Sequence, residues 1–193
     1  GLPPGVANLV MGRARAVADA FFERPEVQKI SFTGSTEVGK ELIRRSADGV
    51  KRLILELGGH APLLVFPDAD VAQVAQAAVI GKFRNNGQVC IAPSRFYVHE
   101  RVSKDFTEAA VELARGLTLG NGLAEGVQVG PLVDAKGRDK VTDLVRDALD
   151  RGARVRVGAE SVDGPGYFYS PTVLSDVPLA ARLSAEEIFG PVA

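Results

Sequence analysis

Hydrophobic and polar positions change their spacing repeatedly along this chain. Residues 27–32 alternate in the manner of a strand, residues 36–47 have the spacing of a helix, and the apolar segment 53–59 again predicts a strand. An earlier helical segment covers 13–24 and is stopped by Pro25. This β-α-β rhythm predicts a parallel sheet with helices packed on it, so we assign the chain to the α/β class.

The same alternation continues to the carboxyl end of the chain. The start, 2–10, predicts a Pro/Gly turn and a short apolar strand, and 184–191 predicts a helical turn. Segments 119–132 and 158–171 are expected to be irregular. The remaining predicted helices are 71–83, 102–117 and 136–152, and the remaining predicted strands are 61–66, 95–100, 153–158 and 171–177.

Composition limits the classes of function. The 23 basic and 24 acidic residues leave a net charge of -1 without a Lys/Arg block, which argues against nucleic acid or an anionic membrane as a partner. No apolar run reaches the length of a membrane span, and the first residues lack the features of a signal peptide. We therefore expect a cytoplasmic protein. The only methionine is Met11, so we expect an internal piece of a longer protein.

Cys90 is the only cysteine, and no disulfide within the chain explains it. It ends the segment 81–90, GKFRNNGQVC, in which a polar loop follows a helix. A lone cysteine is commonly a small buried hydrophobe. At a loop position, however, the thiol can be exposed, and its thiolate is a nucleophile suited to covalent catalysis.

Glu56 stands near the end of the strand 53–59, directly before a leucine and two glycines. A glutamate in such a position is usually just solvated, whereas a partly desolvated carboxylate can act as a general base. A thiol and a carboxylate base together suit covalent catalysis. The two histidines of the chain have no metal-ligand spacing with Cys90, so we expect no metal site.

The turn after the strand 27–32 holds Gly34, Ser35 and Gly39. At a strand-to-helix turn of this kind, backbone N–H groups can approach a phosphate, and the helix N-terminus favours an anion. An ordinary helix start capped by serine would use the same residues. Both interpretations remain open on these residues alone.

Three charged positions also have two interpretations. Asp68 and Asp70, before the helix 71–83, are either paired catalytic acids or capping residues, and a D-x-D before a helix favours capping. Arg84 lies six residues before Cys90. Its side chain either extends into solvent or binds a substrate carboxylate through two of its guanidinium nitrogens.

Five segments together resemble the NAD(P)-dependent aldehyde dehydrogenase superfamily. They are LPPGVANLV at 2–10, SFTGSTEVGK at 31–40, LILELGGHAP at 53–62, FRNNGQVC at 83–90 and EEIFGPV at 186–192. They follow the family's order over essentially the whole chain, and FRNNGQVC is most similar to the succinate-semialdehyde dehydrogenase branch. The implied fold has the end of a Rossmann-like dinucleotide-binding domain at 1–58. Most of an α/β catalytic domain, incomplete at its carboxyl terminus, follows at 59–193.

The resemblance implies a role for each candidate residue. Cys90 would attack the aldehyde, hydride would pass to NAD or NADP, and Glu56 would activate water to hydrolyse the thioester. Arg84 matches the position that binds the substrate carboxylate in that branch, and the Cys90 N–H would form half of the oxyanion hole. The implied cofactor contacts are Ser35 and Gly34 at the pyrophosphate, Leu57 and Gly58 at the nicotinamide site, and Glu187 and Phe189 at the nicotinamide ribose and ring.

The implied substrate is succinic semialdehyde or a similar short carboxylated semialdehyde. Alternatives within the family are an aromatic or a 2-oxoglutaric semialdehyde, or a CoA-dependent acylating reaction. Outside the family, an esterase, an amidase or a noncatalytic piece remain alternatives. The family's asparagine oxyanion donor and most of its adenine pocket have no counterpart here. We therefore expect the isolated chain to lack full activity and the parent protein to form a homodimer or homotetramer.

Overall fold

The computed structural model describes residues 1–193 and contains two parallel strand pairs, each connected by a helix. The chain divides into two units, residues 1–58 and residues 59–193. The mixture of helices and parallel strands confirms the α/β class. The assignment of the two units to a dinucleotide-binding and a catalytic domain stays a prediction.

The first unit contains one strand pair and two helices. Helix α1 (Ala14–Glu23) precedes strand β1 (Lys29–Gly34), and helix α2 (Thr36–Gly49) connects it to strand β2 (Arg52–Leu57). The two strands pair in parallel. The crossover through α2 brings the carboxyl ends of both strands to the same edge of the sheet.

A buried lysine fixes the connection between α1 and the sheet. The Lys51 Nζ donates hydrogen bonds to the carbonyl oxygens of Arg24 and Val27, at 2.7 and 2.6 Å. These carbonyls follow the end of α1, where no helical N–H remains to bind them. The start of β2 is thereby tied to the end of α1.

The second unit contains two strand pairs. Strands β3 (Ala61–Val65) and β4 (Pro93–Val98) pair in parallel. The chain between them forms helix α3 (Val71–Phe83) and a 3-10 turn (Arg84–Gly87). Helix α4 (Glu100–Arg115) and helix α5 (Ala135–Asp150) follow. Strand β5 (Arg154–Val157) and strand β6 (Val173–Ser175) pair in antiparallel fashion, and a 3-10 turn covers Arg182–Ser184.

Two hydrophobic clusters form the core of the second unit. One joins α3 and α4 through side chains that include Ala75, Val79, Phe83, Phe106 and Ala110. The other surrounds α5 and includes Val141, Leu144, Val145, Ala148 and Ile188. The loop between α3 and β4, which carries Cys90, therefore starts from a helix held by the first cluster.

Most predicted elements are present within a few residues of their predicted ends, but three expectations were wrong. Residues 2–10 form no strand and are exposed, because no neighbouring strand offers them hydrogen-bond partners. The helical turn predicted at 184–191 occurs at Arg182–Ser184, and the backbone of Phe189 has a φ of 51° that breaks any helix. The third strand pair is antiparallel rather than parallel. No helix combines the length and apolar character required to cross a bilayer.

The core around α5 leads to a test of stability. Leu144 is 0% exposed, so Leu144→Ala should lower the free energy of unfolding by about 2–5 kcal/mol through lost burial and a residual cavity. Leu123→Ala is the matched control, because Leu123 is 96% exposed and its truncation should change stability by less than about 0.5 kcal/mol. Midpoints of urea unfolding measure both variants. Equal midpoints for the two variants would contradict this description of the core.

Candidate active site

The turn that carries Cys90 reverses the chain direction directly after α3. Three consecutive residues, Asn85, Asn86 and Gly87, have left-handed backbone conformations, with φ of 48°, 58° and 69°. Asparagine and glycine are the residues that adopt this conformation at the lowest cost. The next turn, closed by the hydrogen bond from Ala92 N to Val89 O at 3.0 Å, presents Cys90 on the surface.

The side chain of Asn86 holds this turn in place. Its Nδ2 donates to the carbonyl oxygens of Gly130 and Pro131, at 2.6 and 2.7 Å, and its Oδ1 accepts the N–H of Gly130 at 2.7 Å. Asn86 is 5% exposed, so these three hydrogen bonds satisfy a buried amide that water does not reach. The loop around Gly130 thus fixes the start of the Cys90 turn.

Two glycines allow neighbouring backbone segments to approach the Cys90 turn closely. A Cβ atom on Gly87 would clash with the carbonyl oxygen of Gly190, and one on Gly59 would lie 2.9 Å from the carbonyl oxygen of Cys90. The Gly59 N–H also donates to Glu187 Oε1 at 3.2 Å. Cys90, Gly59 and Glu187 are therefore neighbours within the second unit.

Arg95 and His60 hold the segment that leads to Glu187. The guanidinium of Arg95 donates to the carbonyl oxygen of His60 through Nε and Nη2, at 3.1 and 2.6 Å, and to that of Ser184 through Nη1 at 3.4 Å. The Nε2 of His60 donates to the carbonyl oxygen of Leu183 at 2.7 Å. Burial lowers the pKa of His60, although the Leu183 carbonyl opposes this shift, so the ring is neutral at pH 7.

The first unit brings four of the predicted cofactor residues to one edge of its sheet. Gly34 and Leu57 are direct partners in the β1–β2 register, and the Gly58 N–H donates to the Gly34 carbonyl at 3.2 Å. Ser35 follows Gly34 and caps α2, its Oγ accepting the Val38 N–H at 3.3 Å. The capping role expected for Ser35 is present, and the hydroxyl remains exposed beside the helix N-terminus.

The other predicted residues divide between the two units. Glu56 is exposed on β2, in register with Thr33 of β1. Arg84 is exposed and makes no ion pair or side-chain hydrogen bond. Glu187 is half-buried, and Phe189 is exposed. Cys90 is exposed, so the alternative of a buried core cysteine was wrong.

One smaller alternative also has an outcome. Asp70 caps α3 by accepting the Gln73 N–H at 3.1 Å, which confirms the capping interpretation for this residue. No group of three His, Cys, Asp or Glu side chains is arranged to hold a metal ion.

Sequence reasoning missed the residues that support the site. Lys82 is completely buried one turn before the Cys90 loop. Asn86 is also buried, whereas the sequence predicts only a polar loop at this position. A lysine as the only charged residue of the helix was the available signal for Lys82. No signal in the sequence distinguished Asn86 from its neighbour Asn85, because only tertiary contacts bury one of them.

The chain is similar in sequence and fold to known proteins. A sequence model of the aldehyde dehydrogenase family matches residues 1–193. The chain is 45% identical to the NADP(+) succinate-semialdehyde dehydrogenase GabD of Escherichia coli K12 and 43% identical to a glutarate-semialdehyde dehydrogenase of Pseudomonas putida, over 100% of this chain and 40% of each relative. The crystal structure of succinate-semialdehyde dehydrogenase from Burkholderia pseudomallei superposes with a TM-score of 0.97 at 41% identity, over 100% of this chain and 40% of that one. The chain thus spans about two fifths of the length of these relatives.

The hydrogen bonds of Asn86 generate a test of the Cys90 turn. Asn86→Asp keeps the size of the side chain but replaces two donors with an oxygen that faces two carbonyl oxygens. We expect a loss of about 3 kcal/mol of stability and faster proteolysis or hydrogen exchange in residues 84–92.

Asn121→Asp is the matched control for this test. Asn121 is exposed, and its Oδ1 accepts the Leu123 N–H at 3.0 Å, an acceptor role that aspartate keeps. Thermal unfolding and exchange mass spectrometry measure both variants. An Asn86→Asp protein as stable as the control would show that the amide does not hold the turn.

Proposed function

We propose, from the premise that this chain belongs to the aldehyde dehydrogenase family, that the full-length protein oxidises an aldehyde to its acid with NAD or NADP. The observation that carries the proposal is the single thiol, Cys90, exposed on a turn that Asn86 holds rigidly. A nucleophile on a fixed turn suits covalent catalysis, because its reactive atom is presented in one position. The family model matches all 193 residues of the chain.

The proposed reaction has two stages on Cys90. The thiolate attacks the aldehyde carbon to give a thiohemiacetal, whose hydride is then transferred to leave a thioester. NAD or NADP, when bound, would supply the acceptor for this hydride. Glu56 takes a proton from water, which attacks the thioester and releases the acid and the free thiol. One aldehyde, one oxidised cofactor and one water thus give one acid, one reduced cofactor and one proton.

The backbone around Cys90 supports the first stage. The Cys90 N–H donates no hydrogen bond within the chain, so it is available to the oxygen that becomes negatively charged as the thiolate attacks. The Ala92 and Gln88 amides, by contrast, are occupied by Val89 and Asn85 carbonyls. We propose that Cys90 N–H is one donor of the oxyanion hole.

The proposed cofactor contacts include residues of the first unit and residues of the second unit. In the first, the exposed hydroxyl of Ser35 at the start of α2 suits a pyrophosphate oxygen, and Gly34, Leu57 and Gly58 meet at the adjoining strand ends. In the second, Glu187 uses one carboxylate oxygen for the Gly59 N–H and leaves the other for a ribose hydroxyl. Phe189, whose ring is exposed, is the proposed nicotinamide contact.

The substrate proposal rests on Arg84. This guanidinium is exposed and unpaired six residues before Cys90, so its donors are available to an anionic group. The two curated relatives named above are dehydrogenases of succinate semialdehyde and glutarate semialdehyde, which are aldehydes with a terminal carboxylate. We propose succinic semialdehyde or a similar short carboxylated semialdehyde as the substrate. An aldehyde dehydrogenase with a different range, such as an aromatic or 2-oxoglutaric semialdehyde, is the second candidate.

Two other proposals concern the full-length protein rather than a contact within this chain. The full-length protein is proposed to be a homodimer or homotetramer and to act in the cytoplasm. A noncatalytic piece, an acylating reaction with CoA, and a cofactor-independent esterase or amidase are the competing activities. Formation of reduced cofactor in the absence of CoA distinguishes the proposed reaction from all three.

Variants of the two catalytic candidates test the mechanism. Cys90→Ala in the full-length protein should reduce the rate by about 10⁴-fold or more, because no nucleophile remains. Glu56→Gln should give one rapid equivalent of reduced cofactor and then stop, because the thioester forms but water is not activated. Stopped-flow absorbance of the reduced cofactor measures both. A Cys90→Ala protein with unchanged activity would refute the covalent mechanism.

A variant of Arg84 tests the substrate. Arg84→Leu should raise the KM for succinic semialdehyde by about 10- to 100-fold, the effect of losing a charge-assisted pair. The KM for butanal, which has the same chain length without the carboxylate, should change little.

Arg115→Leu is the matched control, since Arg115 is exposed at the end of α4. Steady-state kinetics with both aldehydes measure the variants. Equal KM values for succinic semialdehyde in wild type and Arg84→Leu would eliminate the carboxylate assignment while leaving the dehydrogenase proposal intact.

A further inference from the structure

Two adjacent glutamates, Glu186 and Glu187, precede Phe189, and their carboxylates have different surroundings. One guanidinium binds both oxygens of Glu186: Arg182 Nε donates to Oε1 at 2.7 Å, and Nη2 donates to Oε2 at 3.0 Å. Glu187 instead accepts one backbone N–H, that of Gly59, through a single oxygen. The proposed function uses Glu187 and gives no role to Glu186.

The pair of Arg182 and Glu186 closes residues 182–186 into a loop. The backbone N–H of Glu186 donates to the carbonyl oxygen of Arg182 at 2.8 Å, so the two residues are joined through both backbone and side chains. Two parallel charge-assisted hydrogen bonds fix the orientation of a carboxylate as well as its distance. The hydrogen bonds from Arg182 also lower the pKa of Glu186, so the pair remains charged at neutral pH. The backbone that leads into Glu187 is therefore constrained.

Asp147 attaches this loop to helix α5. Its side chain is 17% exposed, its Oδ2 accepts the backbone N–H of Arg182 at 2.8 Å, and its Oδ1 accepts Arg151 Nε at 2.9 Å. The hydrophobic cluster around α5 buries Ile188, the residue after Glu187. Glu187 thus lies between two attachments to α5, the hydrogen bond of Asp147 before it and Ile188 after it.

We propose that Asp147, Arg182 and Glu186 form a loop clamp that positions Glu187 for the hydroxyls of the cofactor ribose. A binding group is only as well placed as the side chains that support it. The three residues of the loop clamp are positioning residues, since they act through Glu187. The ribose contact rests on the proposed function, whereas the geometry of the loop clamp depends on no cofactor.

The loop clamp also separates the roles of the two adjacent carboxylates. Because Arg182 occupies both oxygens of Glu186, that carboxylate is neutralised and has no oxygen directed to a ligand. Glu187 uses only Oε1 for the Gly59 N–H, so its other oxygen can accept a hydroxyl. Glu187 is therefore the carboxylate of this pair that suits the cofactor ribose.

A surface ion pair without a positioning role is the simpler alternative. The side chains of Arg182 and Glu186 are 46% and 45% exposed, and exposed pairs four residues apart contribute little to stability. Loss of such a pair would slightly lower the amount of folded enzyme and leave the KM for the cofactor unchanged. A displaced Glu187 would instead raise the KM for the cofactor and leave the KM for the aldehyde unchanged. The comparison of these two KM values is the decisive measurement.

The first experiment is steady-state kinetics of the full-length protein with NAD, NADP and succinic semialdehyde. Arg182→Met and Glu186→Met should each raise the KM for the cofactor by about three- to tenfold without lowering kcat. This is part of the roughly 10- to 100-fold effect of losing a hydrogen bond to a charged group completely. The KM for the aldehyde should be unchanged. The double variant should be no worse than either single variant, because the two residues act as one unit.

Lys104→Met is the matched control, because Lys104 and Glu108 form an exposed pair four residues apart on α4, at 4.0 Å. Its KM values should equal those of the wild type. Arg182→Lys keeps the charge but has a single nitrogen, so it should restore only part of the cofactor affinity. An unchanged KM for the cofactor in both single variants, or equal rises in KM for cofactor and aldehyde, would overturn the positioning role.

The second experiment needs no cofactor and separates the two proposals. Hydrogen-exchange mass spectrometry of the full-length protein should show about tenfold faster exchange at residues 182–190 in Arg182→Met and Asp147→Asn than in the wild type and Lys104→Met. Asp147→Asn keeps the size of the side chain but accepts only one of the two hydrogen bonds, because its amide nitrogen is a donor.

Unchanged exchange in both variants would overturn the loop clamp. If the wild type forms no reduced cofactor with succinic semialdehyde or butanal, the proposed function fails. The exchange result then still decides whether Asp147 and Arg182 hold residues 182–190.

Discussion

The buried amide of Asn86 is the constraint on which the arrangement of the second unit depends. Three successive left-handed residues are unfavourable for an ordinary chain. They persist here because the side-chain amide of Asn86 donates to the carbonyl oxygens of residues 130 and 131 and accepts the N–H of residue 130. Without these bonds, the chain leaving α3 would have no reason to turn toward β4 by this route. The position of Cys90 is a consequence of this turn.

Backbone proximity then joins the Cys90 turn to the carboxyl-terminal loop. Gly87 lies against Gly190, and Gly59 lies against the Cys90 carbonyl and the Glu187 carboxylate. Arg95 and His60 hold the preceding segment through the carbonyl oxygens of residues 183 and 184. Cys90 and Glu187 are thus carried by irregular segments, but each segment is fixed by bonds to strands or to buried side chains. Such supported loops combine exposure of reactive groups with a defined geometry.

Charge placement in this region follows from burial. Lys82 sits in a position that would suit a leucine or methionine in packing terms, and the hydrogen bond from its Nζ to the Ser94 hydroxyl offsets part of the loss of water. Arg84, two residues later, is exposed and unpaired. The two cations at the end of α3 therefore differ in environment: Lys82 is buried within the second unit, and Arg84 is exposed to solvent.

The sequence by itself determined the α/β class, the approximate ends of nearly all helices and strands, the cap at Asp70 and the identity of Cys90 as the residue to examine. These follow from local spacing and from side chains that act on their own backbone, so no tertiary information is required. The five motifs of the sequence also identified the family. The match of the family model over residues 1–193 then established it. The tertiary structure alone decided that residues 2–10 form no strand, that the third strand pair is antiparallel, and which of two adjacent asparagines is buried. Strand pairing and burial depend on partners distant in sequence. The partners of Asn86 are residues 130 and 131, the partner of Lys82 is Ser94, and no local pattern encodes these contacts.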